Sequence, residues 1–545
     1  MQKIINNWQI ILVAMLAISV SWPLMRSGYF SHQDDLQVIR IVEMRKCLSD
    51  LQIPCRWVPD MGWGNGMPLF NFYGVFTYYV GAILSYVFGY LITAKILFFI
   101  ALTFGSYGIY LLVKDLWGKN AALVSSVLYL LAPYKALDIY VRGALTESIA
   151  LSIIPFVLYF GYRKNYKYFI LSLFFFLITH NIMTIIFLPV IFAWMFYLLY
   201  LNKFTNLKLV LISFAIAFGM SAFFLVPAFL EKDLVQTESL TRFELDYRAN
   251  FISVKQLFLD RVWGYGTSIP GPEGGMNFSI GWPHWILAIV SFFIILFNKK
   301  REHMLLATFC FLLFLLSVFM THNQSTFIWK SINVLHFFQF PWRFLSLAAL
   351  TTSLLGGFVV SVIKDKWQIY LTILIIAFAV LANWNYFKPR EFFQITEKEK
   401  LTGEMWEAQR KGALLDYLPK TGLEPREGAQ SNPLITSGSS EITNFINKSN
   451  SFEFNIKVYE NSDIELPIYY FPNWQVYVNE KEVISNHENS LGRISIALEV
   501  GEYKVSGKFK NTPIRTVSNV ISLISAAGFL YLLKLQKKKI NEKDQ

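Results

Sequence analysis

Apolar runs about as long as a membrane-crossing helix recur along this chain from one end to the other. A helix needs about 20 residues to cross the roughly 30 Å of hydrocarbon in a bilayer. Hydrophobic residues make up 54% of the chain and charged residues only 16%, which is too little polar surface for a water-soluble protein of this length. We therefore predict a polytopic α-helical membrane protein with about twelve spans. The predicted spans cover residues 8–25, 91–113, 120–136, 145–162, 168–181, 182–201, 209–230, 281–298, 303–321, 341–363, 368–387 and 515–534.

The basic residues lie in short clusters between the apolar runs. Such clusters hold the ends of spans in the cytoplasm, so the formal net charge of +12 does not predict a nucleic-acid partner. If the apolar segment 68–89 does not cross the membrane, every cluster falls on the cytoplasmic side. We therefore predict that 68–89 is an interfacial or re-entrant helix at the outer surface, and that both termini are cytoplasmic. The clusters are Lys114/Lys119, Arg163/Lys164/Lys167, Lys203/Lys208, Lys299/Lys300/Arg301, Lys364/Lys366 and Lys537/Lys538/Lys539.

The segment 31–70 is a charged loop between the first predicted span and the others. Asp34 and Asp35 open a predicted amphipathic helix that should lie on the membrane surface. Ser31 followed by Asp34 also fits a helix capping box, which would make Asp34 structural and would leave Asp35 unexplained. Adjacent carboxylates in a loop of this kind are candidates for acid–base chemistry.

Polar residues and glycines continue through the rest of this loop. Arg40 follows the two acids on the predicted helix, and Arg56 and Asp60 precede a series of alternate glycines at 62–66. Glycine lets backbone approach a ligand closely, although this series lacks the strand and helix that surround a nucleotide-binding fingerprint. We therefore place a catalytic outer loop at 26–90.

Four polar residues fall near the predicted outer ends of later spans, where ionisable groups are candidates for function. They are Arg142, Glu147, His180 and Arg343. Arg142 and Glu147 could instead neutralise each other, although they are five residues apart, which is a poor helical spacing for a direct pair. His180 also fits a polar residue packed between helices, and Arg343 fits an interfacial anchor beside aromatic residues.

The three cysteines say little about the compartment. Cys310 lies inside an apolar run, while Cys47 and Cys55 are neighbours in the first loop. We expect Cys47 and Cys55 to be free thiols, with a disulfide as the alternative if the loop is extracytoplasmic.

The composition becomes that of a soluble domain after residue 387. Phe452, Phe454, Ile456 and Val458 alternate with polar residues, which predicts a strand with one buried face. Similar runs follow, so we expect a small extracytoplasmic β-sandwich. The predicted organisation is a membrane domain at 1–387, a soluble and mostly β domain at 388–511, and a final span with a basic cytoplasmic tail at 512–545.

Several motifs occur in a fixed order. The pattern H-x-D-D, ending in Arg40, begins at His32, and it is followed by RWVPD at 56–60, PLF-x-FY at 68–73 and Y-x-R-G-x-x-x-E at 140–147. This order resembles the bacterial YfhO-like family and the membrane proteins described as related to 6-pyruvoyl-tetrahydropterin synthase. That group is similar to GT-C glycosyltransferases.

The resemblance implies a bacterial plasma-membrane enzyme with a GT-C-like fold. It would move a sugar, with inversion, from a polyprenyl-phosphate donor to a glycan, lipid or protein acceptor of the cell envelope. In such enzymes an acidic residue of the first outer loop serves the reaction. The family pattern places His directly before the acid, whereas Gln33 separates His32 from Asp34 here, so the choice between Asp34 and Asp35 stays open. The name of the synthase does not imply pterin chemistry, because the sequence has no His-rich metal cluster.

Sugar transfer from a lipid phosphate needs a base for the acceptor hydroxyl, a cationic site for the leaving phosphate, and access for the lipid. Asp34 and Asp35 are the predicted catalytic residues, and they could instead hold a divalent metal ion, Mg²⁺ or Mn²⁺. The predicted substrate-binding residues are His32, Arg40, Arg56, Asp60, Arg142, Glu147, His180 and Arg343. Two alternatives stay open: a lipid or polysaccharide transporter, which should carry ionisable residues in broken helices, and a non-enzymatic factor for envelope assembly.

Overall fold

The computed structural model describes residues 8–269, 275–297 and 304–541, with side chains as far as residue 534. The chain divides into two compact units. The first unit contains Met1–Asp35, Lys95–Ala217 and Thr241–Gln394, and the second contains Leu36–Ala94, Phe218–Leu240 and Ile395–Gln545. This division differs from the predicted segments 1–387, 388–511 and 512–545, because the part of the first outer loop that follows Asp35 belongs to one unit with the C-terminal domain.

The described residues contain eight helices long and apolar enough to cross a membrane, so the chain is a multi-pass membrane protein. A ninth span forms if Lys119–Leu130 and Pro133–Arg142, which meet at a bend of 40°, are counted together. The eight helices are Tyr90–Trp117, Leu145–Tyr162, Asn181–Leu201, Leu207–Leu230, Met304–Thr321, Pro341–Ser361, Asp365–Tyr386 and Pro513–Lys534.

Three predicted spans correspond to shorter apolar helices. Trp8–Val20, Tyr166–Leu177 and Trp282–Phe297 have 13, 12 and 16 residues. At 1.5 Å per residue they extend about 18–24 Å, which is less than the hydrocarbon thickness. The predicted count of twelve is therefore not confirmed. Of the predicted basic clusters, 299–301 lies outside the described residues, and the side chains of 537–539 are also outside them.

The soluble part of the second unit is built around one six-stranded antiparallel sheet. Its longest strand, Ser451–Tyr469, pairs with Leu434–Asn447 along one edge. Along its other edge it pairs with Gly501–Phe509 and then with Arg493–Leu498. Trp474–Val478 and Lys481–Val483 complete the sheet beyond Gly501–Phe509.

The predicted strand around Phe452 is confirmed, but the described strands do not form the two separate sheets of a predicted sandwich. Phe452, Phe454, Ile456 and Val458 are buried and the residues between them are exposed. We predicted two stacked sheets, whereas hydrogen bonds connect all six strands in one sheet. The long strand Ser451–Tyr469 makes this possible, because its two halves pair with different partners.

The first outer loop supplies part of the core beneath this sheet. The ring of Trp57 lies 5.8 Å from that of Trp474 and 6.1 Å from that of Phe471. Gln52 donates a hydrogen bond of 2.9 Å to the carbonyl of Ser449. These contacts place the first outer loop and the sheet on the same side of the membrane, because both contribute to one core of the soluble part.

The segment predicted to be interfacial contains the helix Phe76–Phe88, which has 13 residues and extends about 20 Å. It is about as short as Trp8–Val20 and Tyr166–Leu177, so its length does not decide whether it crosses the membrane. The placement of 68–89 at the outer surface stays a prediction.

The helix that was expected to open at Asp34 differs from the prediction. It covers Gln37–Ser49, and its polar residues Arg40 and Glu43 are as buried as its apolar ones. The first two turns of the helix are therefore covered by protein on all sides, in place of the predicted polar face open to water. Polar side chains of the helix contact protein groups instead of water. For example, the Tyr78 hydroxyl donates a hydrogen bond of 2.7 Å to Gln37.

The capping interpretation of Asp34 is also wrong. The cap position of the helix is Leu36, and its first turn contains no acidic residue. Ser31 uses its hydroxyl elsewhere, accepting a hydrogen bond of 2.9 Å from the backbone of Glu391 and lying 3.3 Å from its carbonyl. Asp34 therefore needs an explanation other than helix capping.

Cys47 and Cys55 form a disulfide, so the expectation of free thiols is corrected. Their Cα atoms lie 5.5 Å apart, which is the usual separation for a disulfide. Disulfides persist in oxidising compartments, and the bond therefore supports an extracytoplasmic first loop. Cys310 is a buried free thiol.

Candidate functional site

The loop that carries the two candidate acids is fixed by backbone hydrogen bonds. The short strand Tyr29–Phe30 pairs with Phe392–Phe393 and leads directly into it. The amide of Gln33 donates to the carbonyl of Val141 at 2.9 Å, and the amide of Asp34 donates to the carbonyl of Arg142 at 2.8 Å. The position of the acids is therefore set by the backbone turn that ends at Arg142.

The carboxylate of Asp35 has a histidine beside it. His32 Nδ1 lies 3.9 Å from Asp35 Oδ1, with the His32 side chain buried and 46% of the Asp35 side chain exposed. Burial raises the pKa of Tyr29 well above its usual value, and the nearby charges of Asp35 and Asp34 raise it further. The Asp35 carboxylate is therefore close to buried rings and also partly open to solvent.

The turn at Arg142 is not a regular α-helix. Leu137–Arg142 is a π-helix, Gly143 has a positive φ of 68°, and a new helix begins at Leu145. A Cβ atom on Gly143 would collide with the imidazole ring of His32. Glycine is needed here both for the left-handed backbone and for the close approach of His32. π-Helical turns inside helices are frequent at functional sites.

A buried ion cluster lies at this turn. Arg142 pairs with Asp138, and its Nη2 lies 3.0 Å from Glu147 Oε2. Arg343 Nε lies 3.3 Å from the same oxygen of Glu147, and the hydroxyl of Tyr134 donates to the other one. We call these five residues the Glu147 cluster.

Two sequence interpretations are corrected by this cluster. Arg142 and Glu147 do form a direct ion pair, because the π-helix and the left-handed Gly143 between them remove the helical spacing on which the objection rested. Arg343 is buried and is not an interfacial anchor; its Nη1 donates to the carbonyl of Phe338 at 2.6 Å. The guanidinium of Arg142 also lies over the ring of Trp342, 4.5 Å from its centre.

The charges of the Glu147 cluster balance. Two guanidinium groups, from Arg142 and Arg343, meet two carboxylates, from Asp138 and Glu147. Buried ions are tolerated when they are paired and hydrogen-bonded in this way. In this arrangement neither arginine offers an uncompensated charge to a phosphate.

The sequence did not single out four residues of this region: Tyr134, Asp138, Gly143 and Trp342. A signal for two of them exists, because Tyr134, Asp138 and Arg142 follow one another at intervals of four residues. Residues at that spacing share one helix face. Gly143 is the glycine of the motif Y-x-R-G-x-x-x-E, which marks the position but not its contact with His32. Trp342 carries no comparable signal, since its role depends on Arg142 being folded against it.

His180 is a polar residue at a helix end, close to the interpretation that it packs between helices and does not bind a ligand. It is the N-cap of Asn181–Leu201, where its Nδ1 accepts a hydrogen bond of 3.2 Å from the amide of Met183. Burial lowers the pKa of His180 to about 3, although the nearby Glu147 carboxylate opposes this. A neutral ring that accepts a helix N–H supplies no positive charge for a phosphate.

Three other predicted site residues belong to the second unit. Arg40 is buried and lies over the ring of Tyr73, 4.5 Å from its centre. Asp60 pairs with Lys46, and its backbone amide lies 3.3 Å from the carboxylate of Glu43. Burial raises the pKa of Glu43 well above its usual value, with further contributions from Asp60 and an opposing one from Lys46.

Arg56 belongs to a second buried network, around Glu231. Arg56 donates to the side chains of Asn71 at 2.9 Å and Asn519 at 3.0 Å. Glu231 accepts from Asn71 at 2.9 Å and from Arg515 Nε at 2.8 Å. Burial and the neighbouring positive charge of Arg515 lower the pKa of Arg56 to about 10. The predicted site residues therefore form two sets, one in each unit.

No group of three or more His, Cys, Asp or Glu side chains arranged to hold a metal ion occurs among residues 8–269, 275–297 and 304–534. The loop of the first unit offers two carboxylates, Asp34 and Asp35. Mg²⁺ commonly binds through one or two carboxylates and completes its shell with water and substrate phosphate. The donor set present here fits that mode of binding and does not fit a site built from protein ligands alone.

Comparison with known proteins places the chain in a family. No curated protein matches it. The model of the 6-pyruvoyl-tetrahydropterin synthase related domain, described as a membrane protein, matches residues 70–389. The match includes Arg142, Glu147, His180 and Arg343, and it begins after Asp34 and Asp35. Because it covers more than half of the chain, the protein belongs to the family of 6-pyruvoyl-tetrahydropterin synthase related membrane proteins.

Proposed function

We propose that this protein is a GT-C-type glycosyltransferase that moves a sugar from a polyprenyl-phosphate donor to a cell-envelope acceptor on the extracytoplasmic face. One observation carries the proposal. The backbone amides of Gln33 and Asp34 hold the acidic loop on the turn at Val141 and Arg142, and the side chain of Arg142 is in turn held by a buried ion cluster. An acid pair positioned this firmly on a membrane domain is arranged for chemistry.

The chemical roles follow from the geometry of the loop. The carboxylate of Asp35 or Asp34 takes the proton of the acceptor hydroxyl while that oxygen bonds to the anomeric carbon of the donor sugar. The bond from that carbon to the phosphate oxygen breaks, and its electron pair leaves with the lipid phosphate. His32, buried 3.9 Å from Asp35, orients the Asp35 carboxylate. A bound divalent ion would neutralise charge on the leaving phosphate, with Asp34 and Asp35 as its protein ligands.

The Glu147 cluster is better suited to positioning than to phosphate binding. Its arginines are already paired with carboxylates. A donor phosphate would have to displace Asp138 or Glu147, leaving a buried carboxylate without a partner, which is costly. We therefore assign Arg142 and Glu147 to holding the acidic loop, and Arg343 to holding Glu147.

The transporter alternative also has an observation in its favour. The bent pair Lys119–Leu130 and Pro133–Arg142 carries Asp138 and Arg142 in a π-helical turn, and broken helices with ionisable residues are a feature of transporters. The backbone link from this turn to the acid pair favours the enzyme.

The test is made with the purified full-length protein in proteoliposomes that contain polyprenyl-phosphate-linked radiolabelled hexoses. Label should leave the lipid phosphate and appear on an added envelope extract or in water, and the lipid phosphate should accumulate. Movement of intact donor lipid across the bilayer without cleavage would establish the transporter. If the donors are neither cleaved nor moved, both proposals fail and an assembly role is left.

A further inference from the structure

The second unit presents an apolar patch beside an unusual arginine. The patch consists of Leu51 and Ile53 in one turn and of Ile83, Val87 and Phe88 on one face of Phe76–Phe88. The exposed fractions of these side chains are 80%, 67%, 63%, 76% and 45%. Residues 83 and 87 are one helical turn apart, so they share a face.

The two parts of the patch are neighbours in space. The hydroxyl of Ser49 lies 3.2 Å from that of Tyr86, and the amide of Cys55 donates to the hydroxyl of Tyr79 at 2.9 Å. The turn that follows Gln37–Ser49 therefore packs beside Phe76–Phe88. The exposed apolar groups of both segments form one surface at the edge of the unit.

Arg45 lies at the border of this patch. Its guanidinium is 4.0 Å from the centre of the Tyr86 ring and 5.2 Å from that of Tyr90. Its Nη1 donates to the carbonyl of Ser85 at 3.2 Å. In the part of the chain that the structure describes, no carboxylate lies within ion-pair distance of Arg45, whereas its neighbour Lys46 pairs with Asp60.

This combination has the chemistry of a lipid site. Arginine binds phosphate through its planar fork while its face stacks on an aromatic ring. Tyrosines prefer the headgroup level of a bilayer, and an exposed apolar surface next to them suits the upper part of an acyl chain. A cation that can bind phosphate and an apolar surface beside it match the headgroup and the chains of one phospholipid.

We propose that Arg45 binds the phosphate of an anionic bilayer phospholipid and that the apolar patch rests on the chains of that lipid. The site anchors the second unit to the outer leaflet. It is distinct from the acid pair and does not depend on the proposed sugar transfer. Because the patch is open, it takes bilayer lipid in general and does not select one donor.

The first test measures depth with Arg45 intact. A fluorophore on Val87→Cys, in nanodiscs, should be quenched most strongly by phospholipids labelled near the glycerol. The same fluorophore on Ile484→Cys is the control, because Ile484 is fully exposed in the same unit and lies outside the patch. Equal quenching at both positions, or none at Val87, would overturn the proposal.

The second test measures headgroup preference. Each basic residue near an anionic surface contributes about fivefold to lipid association. The association of spin-labelled phosphatidylglycerol relative to phosphatidylcholine should therefore fall about fivefold in Arg45→Gln. Arg426→Gln, which removes the same charge from an exposed position of the unit, should leave the preference unchanged. An unchanged preference in Arg45→Gln, or the same fall in both variants, would show that Arg45 does not bind the phosphate.

Discussion

Each of the two units buries a glutamate that meets an arginine at the end of a membrane span. In the first unit Glu147 pairs with Arg142 and Arg343. In the second unit Glu231 pairs with Arg515 and accepts hydrogen bonds from Asn71 and Thr512. Glu147 and Glu231 are both almost completely buried. The residue types are alike, and the consequences differ.

The difference lies in what surrounds the arginines. Asp138 gives the Glu147 cluster a second carboxylate. Around Glu231, the guanidinium of Arg515 instead lies 5.0 Å from the ring centre of Phe471 and 5.1 Å from that of Phe509. The first cluster supports a turn whose carbonyls hold the acidic loop, whereas the second joins segments of the sequence that are far apart. One motif thus supports a candidate active site in one unit and assembly in the other.

Removing either glutamate should have the largest effect on stability. Glu147→Gln leaves Arg343 and Glu231→Gln leaves Arg515 buried without a carboxylate partner, which costs about 3–5 kcal/mol. Thermal unfolding in detergent should show a lower midpoint for both. Only Glu147→Gln should also lower the sugar-transfer rate per folded molecule, because only that cluster holds the acidic loop.

Glu404→Gln is the control for these two variants, since Glu404 is exposed. It should change neither the unfolding midpoint nor the transfer rate. If Glu147→Gln is destabilised and yet transfers sugar at the parental rate per folded molecule, the Glu147 cluster is structural only, and the distinction between the two units disappears.

The link between the Glu147 cluster and the acidic loop can be tested at Gly143. Gly143→Ala places a methyl group against His32 and should both destabilise the protein and reduce sugar transfer. Gly118→Ala is a matched control, because Gly118 has a φ of 87° and nothing within 4 Å of its Cβ position. It should cost only the left-handed strain of about 1–2 kcal/mol.

Transfer rates at saturating donor separate the two glycine variants. We expect a lower kcat in Gly143→Ala and an unchanged kcat in Gly118→Ala. Equal losses in both would mean that backbone strain alone explains the effect and that His32 has no part in positioning Asp35.

The effect that is confined to pH dependence concerns Glu43 in the second unit. Because burial raises its pKa, the folded protein holds a proton on Glu43 at pH values where the unfolded chain has lost it. Stability therefore decreases as the pH rises above the unfolded value of about 4.3 towards the folded pKa, by at most about 1.4 kcal/mol per pH unit. Glu43→Gln should remove this decrease, as measured by unfolding midpoints between pH 5 and 8. An unchanged pH profile would show that Glu43 is ionised in the folded protein.

The sequence was sufficient for features that repeat. Apolar runs predicted the membrane class, and the alternation around Phe452 predicted a strand that the structure contains. Both predictions use a local pattern of apolar residues, which does not depend on the tertiary contacts of the chain. The helix Gln37–Ser49 shows the limit, since amphipathicity does not tell whether Arg40 and Glu43 meet water or protein.

For a related reason, the sequence predicted only part of the candidate site. The acids and the arginines could be named from their types, but their pairing depends on a π-helix and a left-handed glycine that no period reveals. The same holds for the second unit, whose core joins Trp57 to residues more than 400 positions away. Contacts at such separation are decided by tertiary packing.

The central claim is that the acid pair performs the chemistry, and the direct measurement is sugar transfer by Asp34→Asn and Asp35→Asn. Each variant is purified, its donor-lipid binding is confirmed, and its kcat is compared with that of the parent. The neighbouring His32 leads us to expect the larger loss, about 10²–10⁴-fold, in Asp35→Asn, as for removal of a general base. If both variants bind donor and transfer sugar at the parental rate, the loop is structural and the proposed enzyme mechanism is wrong.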